Sequence, residues 1–149
     1  FLVPLVIVAH PSLPVNSLAE LIALAKKEPG QLSYASAGPG TSQHLSMELF
    51  KLKAGLDIVH IPYKGSGPAM ADLLGGHVKL MMDSTAAALN HIRDGRIKAL
   101  AVTTSKPAPA PLDKIPTIAA TIPGFNAAGW SGLAAPARAR ARGRRRAGA

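Results

Sequence analysis

From Pro4 to Thr104, short apolar runs rich in β-branched residues alternate with longer runs whose apolar residues recur every three or four positions. Few folds accommodate that rhythm. PLVIVAHP predicts a buried strand, because Val6, Ile7 and Val8 are β-branched and prolines bound the run. LAELIALAKKE predicts a helix capped by Asn16 or Ser17 and stopped at Pro29-Gly30. LSYAS is the next strand. From Thr41 to Lys53, Leu45, Leu49 and Leu52 recur at helical spacing, predicting a helix that buries a leucine face and ends at Gly55. LDIVHIPY, HVKLMMD and RIKALAVTT are further strands, separated by the helical runs within KGSGPAMADLLGG and STAAALNHIRDG. The expected fold is α/β: an open, mostly parallel sheet with right-handed crossovers and helices on both faces. From Lys106 the chain turns proline-rich and irregular.

At 149 residues, 48% hydrophobic and 17% charged, the chain has the material for one packed core. Its net charge of +9 would suggest a polyanionic partner if it were spread along the chain. It is not. Six of the 17 basic residues are Arg138, Arg140, Arg142, Arg144, Arg145 and Arg146, which leaves 11 bases against 8 acids, a net of +3. None of the six aromatic residues interleaves with that arginine run, so a nucleic-acid partner is not expected. Residues 134–149 are all Ala, Pro, Arg or Gly and are expected to be disordered. They read either as GC-rich DNA translated out of frame or as a basic arm.

The absence of cysteine excludes disulfides, thiol nucleophiles and thiolate metal sites. FLVPLVIVAHP is too short to cross a membrane and lacks the basic start of a signal peptide. A chain beginning with Phe1 in this way is expected to start inside a larger protein.

In open α/β sheets, ligands sit beyond the carboxyl ends of strands, where loops run into helix N-termini. Three such turns are present. In the first, Gly38 and Gly40 allow close approach to the backbone, Thr41 and Ser42 offer hydroxyls, and Gln43 and His44 follow on the helix start. Thr41 or Ser42 could equally serve only as the helix cap. The Gly-Lys-Ser/Thr ending of a phosphate loop is missing, so a carboxylate is the better match than a nucleotide. The second turn, Tyr63-Lys64-Gly65-Ser66-Gly67, adds a hydroxyl and a lysine that could simply be solvated. The third places Asp83 at a strand end, as a ligand acceptor or as a helix cap. All three turns should share one edge of the sheet.

The five histidines are scattered without metal-ligand spacing, and no Gly-x-Ser-x-Gly elbow is present. Neither a metal, nor a cofactor, nor catalysis is expected.

SAGPGTSQHL, VHIPYKGSGPA, DLLGGHV and LAVT, read together, resemble the extracytoplasmic solute receptors of tripartite tricarboxylate transporters, the Bug family, over residues 3–133. The resemblance implies a periplasmic receptor of the type II binding-protein fold. Its two α/β lobes would close on a small carboxylate, an organic acid or an amino-acid-like molecule, and pass it to membrane permease subunits. It implies a monomer and no enzyme. Residues 1–16 would be a hinge-crossing strand and the way into the second lobe, 17–105 that lobe, and 106–133 a return toward an absent first lobe. It further implies that Gly38, Gly40, Thr41 and Ser42, with Gln43 and His44, form the carboxylate loop. Tyr63, Lys64, Gly65, Ser66 and Gly67 would form the next loop, and Asp83 would select the rest of the ligand. One lobe alone should bind weakly or undetectably, because the other half of the cleft would be missing. Two other readings are a non-functional remnant of such a receptor and a small α/β hydrolase using Ser42 or Ser66 with His44.

Overall fold

The computed structural model describes residues 2–130, so the expected disordered tail at 134–149 and the last positions of the 106–133 segment lie outside the described residues. The chain runs β1 (Leu2–Val3), β2 (Leu5–Ala9), α1 (Leu18–Lys27), β3 (Ser33–Ser36), α2 (Ser42–Ala54) and β4 (Val59–Pro62). It continues through α3 (Ser66–Leu74), β5 (Leu80–Ser84), α4 (Thr85–Arg93), β6 (Lys98–Val102), α5 (Ile118–Thr121) and β7 (Gly129–Trp130). The strands and helices read from the sequence up to Val102 are all present.

Five strands form one sheet in the order β4-β3-β5-β2-β6. β3 pairs in parallel with β4 and β5, whereas β2 is antiparallel to both its neighbours. Four strands therefore point one way, as a mostly parallel sheet requires, and β2 alone is reversed. Its five residues are all buried, and a continuous apolar run suits a central strand in either direction. The arrangement gathers the carboxyl ends of β3, β4, β5 and β6 with the amino end of β2 on one edge.

Each face of the sheet is covered. Leu5, Ile7 and Ala9 of β2 meet Leu21 of α1 and Met47 and Phe50 of α2, while Val6 and Val8 meet Leu73 of α3 and Ala88 of α4. The alternation is the strand period of two read directly as packing. Ser17, Thr41 and Ser84 cap α1, α2 and α4, so Ser17 rather than Asn16 is the side-chain cap of α1. α3 starts at Gly65 with no side-chain cap.

The leucine face expected of α2 is not the one that packs. Met47 and Phe50 are 0% exposed, while Leu45 is 57% and Leu52 80% exposed, and only Leu49 is partly covered. Positions 45 and 47 differ by about 200° around a helix, so the two stripes face opposite ways. The larger Phe50, with the adaptable Met47, fills the sheet side.

The proline-rich segment is more closely packed than its composition suggests. Ala108 and Leu112 join one core cluster, and Ile118 and Phe125 join the other, with α5 capped by Thr117. β1 and β7 pair antiparallel, Val3 opposite Gly129, which brings both ends of the described chain to the site edge.

Candidate functional site

Asp83 follows Met82 on β5, and the strand alternation turns its side chain toward the α3 side of the sheet, where it is 1% exposed. Its Oδ1 accepts three hydrogen bonds: from the Ser84 N–H at 2.7 Å, from Ser66 Oγ at 3.2 Å and from Gln43 Nε2 at 3.4 Å. Among the described residues, its buried Oδ2 has no partner. A buried carboxylate oxygen left without a donor would cost about 1–3 kcal/mol, so Oδ2 is available to accept a hydrogen bond from whatever enters beside it. Asp83, Ser42, Gln43, Ser66 and Ser84 line an open cavity of about 280 Å³, together with Val3, Leu5, Ala87 and Gly129. That volume suits a small molecule. Larger hollows of about 520 Å³ near Glu48 and about 490 Å³ near Thr104 have no buried polar side chain in their linings. Volume alone does not mark the site.

The first turn is built by its own hydrogen bonds. Thr41 Oγ1 donates to the Gly38 carbonyl at 2.7 Å and accepts from the His44 N–H at 3.4 Å, so this hydroxyl shapes and caps the turn. Ser36 Oγ accepts from the Gly38 N–H at 3.1 Å. The second turn is pinned to the first, with the Gly65 N–H donating to the Ala37 carbonyl at 3.0 Å. Two helix N-termini, those of α2 and the uncapped α3, thus flank the cavity and contribute partial positive charge.

Behind the first turn lies a column of rings. His44 stacks on His60 with centroids 4.2 Å apart, and His60 stacks on Tyr34 at 4.9 Å. His60 Nε2 is 2.7 Å from Ser36 Oγ, and His44 Nδ1 accepts from the Gly40 N–H at 3.1 Å. Tyr34 donates to Glu48 at 2.7 Å, and burial followed by this bond pushes its hydroxyl well up from the usual tyrosine value. Burial works to raise the Glu48 carboxyl, but hydrogen bonds from Lys51 and Tyr34 and the Lys51 charge hold it below its ordinary value. Burial lowers His60, and the neighbouring His44 and Lys51 charges add to this against Glu48.

The expected residues divide accordingly. Ser42, Gln43, Ser66 and Asp83 come together in the cavity lining. Gly38, Gly40 and Thr41 shape the turn above it, and His44 faces the ring column. Gly65 is the N-cap of α3, while Lys64 and Gly67 are exposed. Tyr63 packs with the α3 and α4 cluster and donates to Asp72 at 2.6 Å, a bond that, with burial, pushes its hydroxyl up to about 12. Asp83 does not cap α4, since Ser84 does. Ser36, Tyr34 and His60 were not among the expected ligand residues. Tyr34 and Ser36 share a face of β3 by period two, but His60 joins them only through its register opposite Tyr34.

The sequence matches the tripartite tricarboxylate transporter family receptor over residues 2–142. Protein BugT of Bordetella pertussis is 44% identical over 135 residues, covering 90% of this chain and 41% of that protein. Rpa4515 of R. palustris, solved with adipate, superposes with a TM-score of 0.83 at 43% identity, covering 87% of this chain and 43% of that one. MatC of Rhodopseudomonas palustris, solved with bound malate, gives 0.80 at 28% identity, covering 87% and 44%. The chain spans about two fifths of the length of these relatives. A match over nearly the whole sequence, with its fold and its glycine turns in place, means that the chain belongs to the receptor family of the tripartite tricarboxylate transporters.

Proposed function

We propose that this chain forms the carboxylate-gripping part of a periplasmic solute receptor that delivers a small organic acid or amino-acid-like molecule to membrane permease subunits. The observation that carries the proposal is Asp83, buried in the cavity lining with Oδ2 unpartnered. The helix N-termini and hydroxyls around it suit a ligand carboxylate, while Asp83 repels one and demands a donor. The favoured ligand is therefore a carboxylate that also carries a hydroxyl or amino group. The solved relatives with adipate and malate are consistent with a small-acid class. Those relatives are more than twice as long as the matched stretch, so further chain is available there to cover the open side of the cavity.

A hydrolase is disfavoured by where its groups are engaged. Ser66 Oγ donates to Asp83, and His44 Nδ1 already accepts from Gly40. The test is a thermal-shift screen of dicarboxylates with and without hydroxyl or amino substituents. Stabilisation in the millimolar range, greatest for substituted acids and with that preference abolished by Asp83→Asn, is the expected result. A panel in which no acid raises Tm, or in which Asp83→Asn keeps the same preference, would refute the proposal.

A further inference from the structure

The turn at residues 38–40 is held from below by two histidines, His44 and His60. His44 Nδ1 accepts the Gly40 N–H at 3.1 Å. His60 Nε2 lies 2.7 Å from Ser36 Oγ, which in turn accepts the Gly38 N–H at 3.1 Å. The two imidazoles stack at 4.2 Å with 24° between their planes. We infer that His44 and His60 form a clasp that positions the 38–40 turn while both rings are neutral and releases it when His44 takes up a proton.

The reason is a donor and acceptor count. A neutral imidazole keeps one ring nitrogen as an acceptor, and Nδ1 of His44 must be that one to receive the Gly40 N–H. An imidazolium donates from both nitrogens, so protonation sets two N–H groups against each other. The ring would have to turn away, and turning breaks its stack on His60. Two imidazolium rings at this separation also repel, so the pair cannot both charge without moving apart.

Of the groups facing the pair, Glu48 opposes this effect, because its charge attracts a proton to either ring. From β3 come Tyr34, stacked on His60, and Ser36. From α2 come Glu48 and Lys51, and the Glu48 carboxylate is already bound by Lys51 at 2.7 Å and by the Tyr34 hydroxyl at 2.7 Å. Burial of His60 further favours the neutral state. If the turn is the anion seat proposed above, acid loosens its grip by spoiling backbone geometry, against the usual gain from an added positive charge.

The test uses the whole chain without ligand, so the clasp and the carboxylate reading can fail separately. Amide exchange and histidine ring titration are followed by NMR from about pH 8 to about pH 5, the span in which histidines change charge. Protection of the Gly40 amide, relative to an unstructured peptide at each pH, should fall about fivefold, the size of one net hydrogen bond. The fall should share its midpoint with the His44 ring, while the β2 amides keep their protection. His44→Asn places a carbonyl acceptor near the Nδ1 position and cannot titrate, so its Gly40 amide should show no such fall. Constant protection through the His44 titration, the same fall in His44→Asn, or simultaneous loss in β2 would overturn the inference. Should His44→Asn not fold, the comparison of Gly40 with β2 in the unmodified chain decides.

Discussion

Replacing Gly38 and Gly40 one at a time by alanine separates the two things a glycine can do in the turn above the cavity. Both have positive φ, +134° at Gly38 and +77° at Gly40, so each substitution carries backbone strain of about 1–2 kcal/mol. Each also lowers the entropy of the unfolded chain, a gain of about 0.4–1 kcal/mol common to both that cancels in the comparison. They differ in space. A Cβ on Gly40 meets nothing within 4 Å, whereas one on Gly38 lies 3.1 Å from the Tyr63 carbonyl oxygen. That carbonyl cannot retreat easily, because the Tyr63 N–H donates to Ser36 O at 3.1 Å and the Gly65 N–H to Ala37 O at 3.0 Å. Overpacking of this kind adds about 2 kcal/mol. Gly38→Ala should therefore be less stable than Gly40→Ala by about 2 kcal/mol, or about 1 M in urea midpoint for an m-value near 2 kcal/mol/M. Urea unfolding followed by circular dichroism measures this. Coincident midpoints, or a lower midpoint for Gly40→Ala, would refute the claim that the first turn is locked onto the second.

Phe50→Ala should cost about 3–5 kcal/mol and Leu52→Ala under about 0.5 kcal/mol, since the first empties a buried site and the second trims a surface leucine. Similar urea midpoints for the two would mean that α2 presents its leucine face to the sheet after all. His60, held below the ordinary histidine value chiefly by burial, binds a proton less readily folded than unfolded. Its contribution to stability is full above about pH 6.5 and is lost as pH falls toward its folded value. His60→Phe keeps a stacked ring without that titration, so its urea midpoint should fall less between about pH 7 and about pH 5. Parallel slopes in the two proteins would remove His60 as the source of the dependence.

Much of the candidate site was legible because its parts are local. Glycines before a helix, a Ser or Thr at its first turn and an acidic residue ending an apolar strand each announce themselves within a few residues, and Ser42, Gln43, Ser66 and Asp83, which line the cavity, were singled out that way. Tyr63 and Lys64 were placed with them by proximity in sequence. Tyr63 points instead into the α3 and α4 cluster, because a strand end alternates faces and its neighbour is Asp72. The leucine stripe of α2 misled for a related reason: helical spacing identifies stripes but does not say which one meets the sheet. Phe50 occupies that position because an aromatic ring buries more apolar area there than a leucine would.

What the sequence determined by itself was the succession of strands, helices, caps and turns from Leu5 to Val102, since these depend on backbone preferences and spacings within one or two turns of chain. The tertiary structure alone decided that β2 runs against its neighbours, that His60 lies opposite Tyr34 and beneath His44, and that Asp83 keeps one carboxylate oxygen unpaired among the described residues. Each of these depends on residues distant in the chain. Strand direction, register and the orphaned oxygen follow from which surfaces must be buried together, and no local preference encodes that choice.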